Sequence, residues 1–419
     1  MPKIYNLIRT VLTVFILALL LGSCMKDKLS KTYTIYVPVY KTKQEVLASV
    51  KNTSVQTINS AGKIFIYGKY IFLNEINKGV HIIDNSNPSS PKAVSFINIP
   101  GNLDIAVKGN TLYADMYADL LTIDITDPQH TRLLNTVPRL FPERFYGLNF
   151  TPDTSRIIVD WTRKDTTIDI SADPGFSPCF NCLFASSSMA LADKAGSTAP
   201  GIAGSMARFS IVNEYMYTVG QSDLTILSLV NAGKPAIVGT QPVGMNIETI
   251  YPFKDKLFIG SSAGMFIYNI TNAATPVRES AFTHARACDP VVADDDYAYI
   301  TLRTGTMCGG STNVLDIVDV ANVASPRLVK SYPLKNPHGL AKDGNLLFVC
   351  DGSDGLKLYD ASNIGELSLL DHVKDIETYD VIAWNNLLLV VSKTGLQQYD
   401  YSDGKKMKLL STIQIGKKS

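Results

Sequence analysis

Eight residues at broadly regular spacing carry most of the chemistry this sequence offers: Lys63, Asp104, Tyr146, Arg208, Glu248, Asp289, His338 and Asp380. Carboxylates, cations and one imidazole brought into a ring could bind a polar ligand, a glycan or a metal ion. They could also act as acid and base in a hydrolase or lyase built on Asp104, Glu248, Asp289, Asp380 and His338. The plainer alternative is structural: Asp and Glu cap turn amides, and Lys63 and Arg208 neutralise them. The residue types favour this structural reading.

The remaining reactive residues narrow the chemistry further. Cys179-Phe180-Asn181-Cys182 is a C-x-x-C with no following His, which removes haem attachment. It has no second ligand pair for zinc, and it sits in a Gly-, Ala- and Ser-rich stretch rather than at a helix start. A local disulfide is the expectation in an oxidising compartment. Cys308 with Cys350 is a second candidate bridge, its connectivity left open by sequence. The acidic runs Asp294-Asp295-Asp296 and Asp351-Gly352-Ser353-Asp354-Gly355 lack the length and terminal Glu of a calcium loop and fit hairpin turns. No nucleophile elbow, phosphate loop or zincin motif is present, so no cofactor or metal is expected and enzyme activity ranks last. A net charge of +1 supplies no basic field for nucleic acid.

The elements that must position these residues repeat. A strand ending in a polar residue recurs at Asp84, Asp124, Asp169, Ser228, Asn269, Asp319, Asp360 and Asp400, a period near 40 residues. Three residues on stand Asn87, Asp127, Asn231, Asn272, Asn322, Asn363 and Asp403, and seven on stand Pro91, Pro235, Pro276 and Pro326. The first set suits a tight turn and the second the start of an edge strand. Each unit reads as four strands, A to D, and strands such as Leu387 to Val391 are apolar on both faces. The fold class is therefore all-β: one propeller over residues 58–419, with eight four-stranded blades and an insertion at 171–205. Seven blades is the alternative, with the third unit degenerate or the first and last units sharing a blade. The eight candidate residues fall at the starts of strand A, around one mouth of the central channel.

Units reading Val80-His81-Ile82-Ile83-Asp84 or Leu315-Asp316-Ile317-Val318-Asp319, with the Asn/Asp turn and the Pro, resemble the LVIVD-repeat family of bacterial surface-type lipoproteins. Tyr297 to Leu302 and Phe348-Val349-Cys350-Asp351 add to the likeness. It implies a β-propeller lipoprotein and transfers no catalytic residue. The N-terminus reads accordingly: Lys3 and Arg9, the apolar run Val11 to Leu20, then Leu21-Gly22-Ser23-Cys24, which resembles a lipobox. Residues 1–23 are read as a signal peptide, Cys24 as the lipidation site, and 24–57 as a tether. Acyl chains would hold the protein on a membrane, with the bacterial outer membrane as the expected address. The leading functional expectation is a binding or scaffold protein of the cell envelope, partnered by an envelope protein or polysaccharide. Polar-ligand binding at the channel mouth comes second and catalysis third.

Overall fold

The computed structural model describes residues 30–145, 156–169, 202–206, 208–283, 290–304 and 312–416. Blade 1 is built from Ala61–Tyr67, Tyr70–Glu75, Gly79–Asp84 and Lys92–Asn98, each antiparallel to the next. Six further four-stranded sheets with the same order cover 105–137, 209–242, 247–283, 291–333, 340–373 and 378–414. First strands of successive blades are neighbours around the ring. The propeller thus has seven blades, which corrects the expectation of eight in favour of the alternative.

The unit that drops out is the third. Arg156–Asp169 is extended and ends at the expected Asp, but it pairs with Ser30–Thr42 in a separate two-stranded sheet. Its Arg163-Lys164-Asp165-Thr166-Thr167 run carries too many polar groups to be buried between two blades. The chain divides into two compact units, one of residues 1–40 with 158–186 and one of the rest, which contains the propeller.

Repetition in the sequence becomes repetition in hydrogen bonds. The residue ending strand C accepts the amide two residues ahead in the turn: Asp84 from Ser86 at 2.8 Å, Asn269 from Thr271 at 2.8 Å, Asp400 from Ser402 at 2.9 Å. The Asn or Asp three residues later does the same, as Asn363 Oδ1 does from Gly365 at 3.1 Å. Strand D then begins directly after Pro91, Pro235, Pro276 and Pro326. Every C–D pair also carries a register shift near its middle, between Ile82 and Ile83 in blade 1 and between Gln398 and Tyr399 in blade 7. Such bulges twist the exposed edge and blunt it against pairing with other chains.

Strand C opens on glycine in blades 1, 4 and 7 and directly follows Gly355 in blade 6, and the reason is steric. Gly395 has φ +142°, and a Cβ there would stand 2.0 Å from the carbonyl oxygen of Ile413 on strand D. Gly395→Ala should therefore lower unfolding free energy by at least about 2 kcal/mol, through strain that the paired strand cannot relieve. A urea midpoint unchanged by that substitution would contradict the geometry.

Apolar side chains pack between blades rather than within them. Ile64, Ile71 and Leu73 of blade 1 meet Ile382, Leu389 and Val391 of blade 7, so the ring closes on a continuous core. Polar side chains add a stitch to the C–D turn of the next blade. Ser95 Oγ donates to the Pro128 carbonyl at 2.5 Å, Tyr113 to Ala232 at 3.0 Å, Tyr217 to Ala273 at 2.7 Å and Tyr332 to Ile364 at 2.7 Å. At the closure Ser411 donates to Pro88 at 2.6 Å, and the amides of Asn85 and Gln398 exchange two bonds at 2.9 and 2.8 Å. The expected tether contributes too: Lys51–Thr53 adds a fifth strand to the outer edge of blade 1.

Candidate functional site

Strand A begins at the channel mouth, and the structure gathers several expected residues there. Lys63, on the first strand of blade 1, is hydrogen-bonded and ion-paired to Asp104, just ahead of the first strand of blade 2. Both are buried. Burial outweighs their mutual attraction: it pulls Lys63 down to about 8 and pushes the Asp104 carboxyl up. Arg208 and Arg144 are close enough for their charges to act on this pair. Arg208 donates to the Gly220 carbonyl at 3.0 Å, and Arg144 is ion-paired with the wholly buried Asp115. Burial and the neighbouring Arg208 lower Arg144 to about 9.

A second set of polar residues was missed by reading strand A alone. In three blades, the carboxylate at the end of strand B accepts amides from the segment that leads into strand A. Glu75 takes Asn59 and Ser60, Asp115 takes Leu103 at 2.9 Å and Asp104 at 2.7 Å, and Asp351 takes Lys335 at 3.0 Å and Asn336 at 2.7 Å. Asn74 and Asn102 link the first two blades at 2.6 Å. The signal was available: Glu75, Asp115 and Asp351 are acids at or beside the ends of otherwise largely apolar strands. The structural role expected for strand-A acids is carried largely by these strand-B acids.

His81, facing Glu75 at 3.2 Å and packed on Phe96, belongs to the interior of blade 1. Burial raises the Glu75 carboxyl, but the bonds from His81, Asn59 and Ser60 together bring it below the usual range.

The channel side of blade 1 is occupied by the protein's own chain. Ile202–Ala203, at the end of the expected insertion, pairs antiparallel with Ile66 and Phe65 on the inner strand of blade 1. Ser205 Oγ then accepts the Leu340 amide of blade 6 at 2.8 Å. Between them Gly204 lies against Asp380, where a Cβ would come within 1.9 Å of the carboxylate, and Gly339 flanks the same group. Only glycine lets the strap pass so close to a side chain held on both sides. Asp380 is 3% exposed; one oxygen accepts the Val381 amide at 3.0 Å and Oδ2 has no hydrogen-bond partner among the described residues. Burial raises this carboxyl to about 7.

His338 is buried on the same face, its Nε2 3.2 Å from Arg303 and 3.3 Å from Asn336, with Tyr379 edge-on. Glu248 is half-buried at the start of blade 4. Tyr146 and Asp289 lie outside the described residues, as do Cys24, Cys179, Cys182 and Cys308. Cys350 carries a free thiol, and Cys308, its expected partner, lies outside the described residues. It is packed among Phe348, Leu356, Val381 and Val390 between blades 6 and 7, and burial raises its pKa well above the usual thiol range.

The acidic runs are engaged in turn and lysine contacts. Asp294 accepts the amides of Asp296 and Tyr297 and the Lys342 ammonium at 2.6 Å, and Asp295 pairs with Lys254. Lys357 bridges Asp351 and Asp354 at 2.6 and 2.7 Å. Among the described residues no three His, Cys, Asp or Glu side chains are grouped to hold a metal ion.

Comparison with known proteins agrees with the fold. LVIVD repeats match residues 59–98, 102–137 and 285–333. Among curated proteins, none matches this sequence. Of solved structures, a protein from Lactobacillus plantarum superposes with a TM-score of 0.55 at 12% identity, covering 85% of this chain and 98% of its own. The periplasmic gluconolactonase of Pseudomonas aeruginosa gives 0.52 at 12% identity, covering 85% and 97%. BamB from Moraxella catarrhalis gives 0.50 at 9% identity, covering 87% and 99%. At such identities the likeness is one of fold.

Proposed function

We propose that this chain of LVIVD repeats, closed into a seven-bladed β-propeller, is a lipid-anchored binding or scaffold protein of the bacterial outer membrane, with Cys24 as its anchor. The observation that carries the scaffold reading is the strap. The segment from Ile202 to Ser205 occupies the channel side of blade 1, beside a ring in which Lys63 is paired with Asp104 and Arg144 with Asp115. A mouth partly covered in this way favours partner recognition by the outer loops and edges of the disc, which a rigid propeller presents well. Tagged protein crosslinked in cells and isolated in detergent should bring down one envelope protein in fixed stoichiometry, with reciprocal tagging recovering this chain. Repeated isolation of the chain alone would sink the reading.

Polar-ligand binding within the channel has one observation in its favour, the Oδ2 of buried Asp380, which is partnerless among the described residues. A buried acceptor without a donor invites a water or a ligand hydroxyl. On that reading Asp380→Ala abolishes ligand binding with the melting temperature nearly unchanged. The structural reading expects the melting temperature to move instead.

A further inference from the structure

The two-stranded sheet formed by Ser30–Thr42 and Arg156–Asp169 has no part in the blades and exposes apolar side chains. Thr32 is hydrogen-bonded to Thr167 at 2.9 Å and Thr34 to Asp165 at 2.7 Å, so the even-numbered residues of the first strand share a polar-edged face. Strand alternation puts Ile35, Val37 and Val39 on the opposite face. These three are 42%, 43% and 37% exposed, and Tyr36 and Tyr40 are exposed as well. Isolated two-stranded sheets are marginal in water, and a contiguous apolar strip of this kind marks an interaction surface.

We propose that this ribbon lies on the surface of the lipid bilayer to which the protein is anchored, with Ile35, Val37 and Val39 turned to the headgroup–acyl boundary. The proposal rests on the Cys24 anchor. Five residues separate Cys24 from Ser30, six residue steps that reach at most about 22 Å even when fully extended. In an acylated chain the Ser30 end of the ribbon is therefore held near the headgroups. Lys164, exposed and of opposite strand parity to Asp165, shares the face of the apolar strip and can meet anionic phosphates. Pro38 argues against the competing occupant, a strand from a protein partner. Within a sheet, proline is accommodated where its nitrogen faces the unpaired side. There it removes a donor that an added strand would need.

The test places a photo-reactive benzoylphenylalanine at Val37 in the full-length protein in cells, with a control at the exposed Val329 of blade 5. Mass spectrometry reads both the crosslinked product and the acylation of the Cys24 peptide. With Cys24 acylated, a phospholipid adduct at Val37 and none at Val329 is the expected result. Adding Ile35→Glu and Val39→Glu on the same face should cut that adduct at least about fivefold, with Cys24 acylation unchanged. An acylated protein whose Val37 probe crosslinks a protein, or yields no lipid adduct, overturns the ribbon proposal and leaves the anchor standing. An unacylated Cys24 peptide overturns the anchor, and the ribbon proposal with it.

Discussion

Lys63→Met is expected to lower the unfolding free energy by about 3–5 kcal/mol, because it leaves the fully buried Asp104 without its cation. The double variant Lys63→Met/Asp104→Leu should return close to wild-type stability or exceed it. Both groups are displaced by burial toward their neutral forms even while paired, Lys63 to about 8 and Asp104 upward. Desolvation is thus the dominant effect on each, and removing both charges removes both penalties. Urea unfolding of the single and double variants forms a closed cycle whose coupling energy is the measured quantity. Single variants that add to the double within a few tenths of a kcal/mol would mean that the pair is not coupled, contrary to the contact seen here.

Asp380→Asn should remove a pH dependence. The ordinary value for this carboxyl is 3.8, and in the folded protein it is about 7. Between those values the folded chain holds a proton that the unfolded chain has released. Stability contributed at this site therefore falls as pH rises from about 4 to about 7, and stays low above. The limit of the effect is on the order of 4 kcal/mol between pH 4 and pH 8. Asparagine is nearly the same size, keeps an acceptor for the Val381 amide and never ionises. The variant should match wild type near pH 4 and be more stable by a few kcal/mol at pH 8. Parallel stability curves for the two proteins across that range would show that Asp380 is not desolvated as described.

Much of the disc could be read in the sequence because its turns are made by side chains of fixed type. The polar residues that end strand C, acids and amides in every blade but the third, where Ser228 stands, announce the C–D hairpin together with the Asn or Asp three residues later. In blade 2 the expected strand A starting at Asp104 is observed as Ile105–Lys108. The blade count failed at Asp169, which ends a real strand. Local pattern reports a strand; whether it is buried between neighbours depends on the whole strand's polarity, and Arg163 to Thr167 should have weighed more. The bulge in each C–D pair has no residue signature, since it is a matter of register.

The candidate site was legible to a similar degree. Lys63, Asp104, Arg208 and Asp380 do come within electrostatic reach of one another, and His338 lies on the same face beside Arg303. What strand-by-strand reading could not supply was the strap. Ile202–Ala203 is too short to carry a pattern, and its partner strand lies far away in sequence. Gly204 is informative only once the position of Asp380 is known.

The central claim is that the charged ring is interior structure and that recognition occurs on the outside of the propeller. It is tested most directly by crosslinked pull-down of the tagged full-length protein, wild type beside Lys63→Met/Asp104→Leu. The expected result is one stoichiometric envelope partner, recovered equally by both. Loss of that partner from a double variant that melts like wild type, or a wild-type protein recovered repeatedly alone, would contradict it.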